Sequence, residues 1–77
     1  MAAMTRGFCG PNHTATEQMA KYYAARARNG VGLILTEGTI VHRAGDGYNN
    51  VPHIETKDQA ESWQQVTDAV HAEGGRI

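Results

Sequence analysis

Apolar and polar residues follow two different rhythms along this chain, and the change between them predicts its elements. Val31-Gly32-Leu33-Ile34-Leu35 is a continuous apolar run between Asn29-Gly30 and Thr36-Glu37-Gly38. That pattern predicts a strand buried on both faces, as in a parallel sheet. Thr39-Ile40-Val41 either prolongs it or forms a brief extended piece. Ala60, Trp63, Val66 and Val70 recur at helical spacing, leaving Glu61, Gln65, Asp68 and Glu73 outward, so an amphipathic helix follows Thr56. Thr56-Lys57-Asp58-Gln59 has the spacing of a capping box, and Gly74-Gly75 ends the helix. An earlier helix is predicted from a similar box, Thr14-Ala15-Thr16-Glu17, to about Asn29. Its Ala, Gln, Met and Lys residues favour helix, and Arg26 and Arg28 suit its negative C-terminal end. Asn29-Gly30 supplies a left-handed stop.

The remaining segments complete the order. Met1 to Thr5 passes from apolar to polar, as the last part of a strand does, and Arg76-Ile77 reads as the first step of another. Residues 7–13 carry Gly7, Gly10, Pro11 and Asn12, which is loop chemistry. Residues 42–54 form a long loop with Gly45, Gly47, Asn49, Asn50 and Pro52, and loops of that length are often functional. Strand, helix, strand, helix and strand start describe an α/β architecture with right-handed crossovers. Sites in such folds lie at the C-terminal ends of the strands. The first strand begins at residue 1 and the last is barely begun. Residues 1–77 are therefore expected to be part of a larger domain, truncated at both ends.

Composition narrows the function classes. The net charge is −1, with acids and bases interspersed, and no basic stripe exists to neutralise phosphates. That argues against nucleic acid as a partner. The longest apolar run is far too short to span a bilayer, and the N-terminus lacks a signal-peptide pattern, so a soluble, cytoplasmic protein with no membrane partner is expected. Cys9 is the single cysteine, which excludes an intrachain disulfide. His13, His42, His53 and His71 show no i,i+4 pair, and no zinc spacing is present, so no metal is expected.

Met4-Thr5-Arg6, the helical stretch Tyr22-Tyr23-Ala24-Ala25-Arg26-Ala27, Gly32 to Thr39, Gly45-Asp46-Gly47-Tyr48, and Trp63 followed by residues 69–75 occur in one order. That series resembles the N-terminal part of the old yellow enzyme family over essentially the whole chain. The resemblance implies a (β/α)8 TIM barrel, of which this chain supplies the first two β/α units and the start of the third strand. It also implies FMN as cofactor and NAD(P)H as hydride donor. The reaction would pass hydride through the flavin to the activated C=C bond of a small α,β-unsaturated substrate, in an ene-reductase or 2,4-dienoyl-CoA-reductase-like enzyme.

Residues carry over only where the pattern matches. Ala2, Ala3, Met4 and Thr5 occupy the strand end that lies against the flavin, with Ala3 in place of the usual proline. Thr5 would donate its hydroxyl to the flavin; the plainer reading is a strand-end threonine bonded to its own loop. Gly38 would keep the second strand end flat beside the ring, or simply serve a turn. Glu37 reads as a structural acid rather than a proton donor. Cys9 reads as an ordinary loop thiol, since the family's redox cysteine corresponds to Thr5. The histidines read as surface or helix residues, and Gly45 to Tyr48 lacks the context of a dinucleotide fingerprint. No catalytic residue of the family falls within the chain. The resemblance thus implies a fragment that holds one wall of the flavin site and is inactive alone, from a parent whose homo-oligomeric state stays open. The competing expectation is a stand-alone small α/β module that binds a ligand or partner without catalysis.

Overall fold

The computed structural model describes residues 1–42, 45 and 50–77. Its elements are a 3-10 turn over Pro11–His13, helix α1 over Glu17–Arg28 and helix α2 over Lys57–Ala72. Among the described residues the predicted strands do not form: isolated parallel bridges join Leu33 to Arg76 and Ile40 to His53, and the segment from Met1 is held by hydrogen bonds without a bridge. Residues 32–35 lie in the middle. On one side the Met1 amine donates to the Leu33 carbonyl (2.6 Å), and Leu35 N–H donates to the Met1 carbonyl (3.0 Å). On the other, Arg76 N–H reaches the Gly32 carbonyl (3.1 Å) and Ile34 N–H reaches the Arg76 carbonyl (2.8 Å). Both pairs have the slanted pattern of parallel neighbours. A second parallel bridge joins Ile40 to His53, so Thr39-Ile40-Val41 forms its own brief extended piece.

Both helices cover one side of these segments. Met19, Tyr23 and Ala27 of α1 meet Trp63, Val66 and Val70 of α2, and Ile34 is sealed between them; Met1, Val31 and Ile77 pack around this cluster. The expectation of a strand buried on both faces is corrected here. Ile34 is fully buried, whereas Leu33 and Leu35 are 58% and 55% exposed. Successive side chains of an extended segment point to opposite faces, and both helices lie on the Ile34 face.

The helix ends follow local chemistry. Thr56 and Gln59 form the predicted capping box. The first box is displaced: Thr16 caps α1 by accepting from Met19 N–H (3.1 Å). Thr14 instead closes the 3-10 turn, its hydroxyl donating to the Pro11 carbonyl (2.8 Å). Gly30 and Gly74 have φ of +104° and +80°, the left-handed geometry expected at the helix stops. Gly75 serves a different need. A Cβ there would lie 2.7 Å from the Ala27 Cβ, so the last segment approaches α1 only because Gly75 has no side chain.

Ala60 is exposed and Gln59 is buried, which corrects the predicted stripe by one position. Gln59 tolerates burial because both ends of its amide are bonded. Oε1 accepts from Glu55 and Thr56 N–H (3.0 Å each), and Nε2 donates to the Asn12 carbonyl (2.9 Å). Two neighbours on α2 complete the entry to α1: Ala15 N–H donates to Ser62 Oγ (2.9 Å), and Gln65 Nε2 donates to the Ala15 carbonyl (3.1 Å).

Candidate functional site

The chemistry-bearing residues gather where the segments from Met1 and from Leu33 end. Thr5 and Gly38, 33 positions apart in the numbering, meet there: a Cβ on Gly38 would sit 3.0 Å from Thr5 Oγ1. Ala2, Ala3 and Met4 lead up to Thr5, and all five residues are exposed. Two small alanines and a glycine thus leave a flat approach beside one hydroxyl. Thr5 Oγ1 faces the bare Cα of Gly38. Leu33, Leu35 and Phe8 are exposed as well.

Beneath this wall lies a buried polar pair absent from the sequence reading. The Tyr23 hydroxyl accepts from Glu37 N–H (2.8 Å) and donates to Glu37 Oε1 (3.2 Å). Glu37 is 2% exposed, and its Oε2 has no partner among the described residues. Thr36 and Thr39 hydroxyls both donate to the Glu37 carbonyl (3.0 and 2.9 Å), so the peptide entering Gly38 is held on both sides. Burial, reinforced by the Glu37 charge, pushes the Tyr23 phenol up to about 12. The signal for this pair was present on the helix: Met19, Tyr23 and Ala27 recur every four residues, which turns Tyr23 inward, and a buried tyrosine hydroxyl requires a partner.

Tyr22 braces the other strand end. The guanidinium carbons of Arg6 and Arg26 lie 3.5 and 3.8 Å from its ring centroid. Two cations cannot share one ring face at those distances, so the ring is sandwiched between them. Tyr22 and Tyr23 themselves meet edge to face, at 5.3 Å and 76°.

The other candidates separate from this site. Burial, then the Glu37 charge, pushes the Cys9 thiol up. The histidine reading needs correction: His53 is buried and stacks on the half-buried His13, with ring centroids 4.1 Å apart. Asp46, Gly47 and Tyr48 lie outside the described residues. A groove of about 630 Å³ between α1 and α2, lined by Ala20, Ala24, Ala69 and Ala72 among others, lies away from Thr5 and Gly38. No helix among the described residues is long and apolar enough to cross a membrane.

Comparison with known proteins shows the family. The family described as NADH:flavin oxidoreductase / NADH oxidase matches residues 1–77. The chain is 44% identical over 80 residues to 12-oxophytodienoate reductase 7 of Oryza sativa subsp. japonica, covering 97% of this chain and 18% of that protein. It is 41% identical over 80 residues to a probable flavin mononucleotide-dependent alkene reductase of Leishmania infantum, covering 100% and 20%. The solved structure of the old yellow enzyme homologue from Zymomonas mobilis superposes with a TM-score of 0.87 at 43% identity, covering 97% of this chain and 21% of that one. The chain thus spans about a fifth of the length of the relatives it matches.

Proposed function

Because this chain belongs to the NADH:flavin oxidoreductase / NADH oxidase family, we propose that it supplies one wall of an FMN site in a larger (β/α)8 barrel enzyme. The whole protein is read as an NAD(P)H-dependent reductase of activated C=C bonds in small α,β-unsaturated compounds. The meeting of Thr5 and Gly38 at adjacent segment ends carries this reading. A planar ring needs a face without protruding side chains, and Ala2, Ala3 and Gly38 offer one. Bound FMN would supply the hydride-carrying chemistry.

The chain's own residues position and tune. The Thr5 hydroxyl is a fixed donor beside the flat face, suited to a cofactor edge on which negative charge develops during reduction. Ala2, Ala3 and Met4 bring backbone along the same face. Alanine at position 3 leaves that backbone less constrained than proline would. The exposed leucines, Leu33 and Leu35, face the side that further β/α units would cover. Glu37 remains a structural acid, turned away from the face by its bonds to Tyr23. No group on this wall is placed to protonate a substrate, so the isolated chain is expected to be inactive.

The test is an FMN titration followed by flavin fluorescence, on the 77-residue chain and on a longer protein that carries it within a complete barrel. Stoichiometric binding and NAD(P)H reduction only in the longer form would support the reading. Tight FMN binding by the chain alone would instead favour a stand-alone binding module, and no binding by either form would refute the flavin wall.

A further inference from the structure

The wall depends on two strand ends that hydrogen-bond to each other only near Met1, well before Thr5 and Gly38. What fixes their spacing at the open end comes from α1. Tyr22 stacks on Arg6, the residue after Thr5; Tyr23 is bonded to both the N–H and the carboxylate of Glu37, the residue before Gly38. Both tyrosines sit on one helical turn and touch each other edge to face. We propose that Tyr22 and Tyr23 are paired positioning residues that set the Thr5–Gly38 spacing and thereby the fit of the flavin, an inference that rests on the flavin-wall reading.

The two contacts differ in kind. Tyr23 makes a directional, buried bond pair, and the Glu37 carbonyl is held independently by Thr36 and Thr39, so loss of the Tyr23 hydroxyl frees the Glu37 N–H and carboxylate while the carbonyl stays held. The resulting slack lies one residue from Gly38. Tyr22 acts through its ring face, which a phenylalanine retains and an alanine does not. Arg26, on the opposite ring face, also donates to the Tyr22 carbonyl (3.3 Å), which holds the sandwich to its own helix.

The experiment measures FMN dissociation constants, flavin absorption maxima and thermal melting in the longer FMN-loaded protein that carries this segment. Tyr23→Phe should weaken FMN roughly tenfold and shift the flavin spectrum, as loss of a buried bond partner at a binding wall would. Tyr22→Ala should weaken FMN about threefold, and Tyr22→Phe should restore wild-type affinity. Thr56→Ala, which removes the α2 cap and makes no contact with Tyr22, Tyr23 or the wall, controls for general destabilisation: its melting point should fall while its FMN affinity holds. The proposal is overturned if Tyr23→Phe binds FMN as the wild type does, or if Thr56→Ala weakens FMN equally. Failure of the wild type to bind FMN would instead remove the flavin-wall reading on which it stands.

Discussion

Adjacent residues of the middle segment live in opposite surroundings. Ile34 is sealed by α1 and α2, while Leu33 and Leu35, one step away on either side, stand more than half exposed. The apolar run itself is uniform, so the difference arises from what covers each face. The Ile34 face is completed by helices within these 77 residues. The Leu33–Leu35 face has no cover among the described residues, and on our reading the rest of a barrel closes it. One face is therefore finished locally; the other, on our reading, is functional and finished from elsewhere.

The sharpest way to break that contrast is Leu35→Asp. In a longer protein with a closed barrel it buries an unpaired charge and should cost about 4 kcal/mol or more, read as lost soluble yield and a collapsed melting temperature. In the 77-residue chain, helicity by circular dichroism should hardly change. Equal sensitivity in both forms would contradict the division of faces. On the other side, Ile34→Ala removes a fully buried side chain and should cost roughly 2–5 kcal/mol in a urea titration of the longer protein.

The helix-facing side also titrates. Because the Tyr23 phenol is raised from 10 to about 12 in the folded state, the folded form holds its proton more tightly than the unfolded form. The stability this supplies, on the order of 2 kcal/mol, is fully present below pH 10 and is lost between pH 10 and about 12. Tyr23→Phe should lack that alkaline limb in a pH series of melting curves. The smallest effect is at the entrance of α2: Thr56→Ala removes half of a capping box and should lower stability by about 1 kcal/mol, visible as a shifted denaturation midpoint.

What could be read from sequence was what is decided within a turn or two of helix. The box at Thr56 and Gln59, the stops at Gly30 and Gly74, and the inward Trp63, Val66 and Val70 are of this kind. Thr14 and Thr16 show the limit. Both offer a capping hydroxyl, and the choice falls to Thr16 because Thr14 is taken by the turn over Pro11–His13. Gln59 was misjudged because its burial depends on Asn12, far away in the chain. The Tyr23–Glu37 pair is similar: the helix spacing turns Tyr23 inward and calls for a partner, but only the fold names Glu37. The site residues Thr5 and Gly38 could be named by family resemblance, but only the fold places them side by side.

The start of α1 has a consequence in time. Its approach is bonded through Asn12 and Ala15 to Gln59, Ser62 and Gln65, 47–50 residues later in the chain. At ~5–20 residues per second of synthesis, those partners emerge roughly 2–10 s after the groups they complete. During that interval the nascent α1 has its own Thr16 cap but an unfinished entrance. The end of this segment thus decides when its beginning is folded.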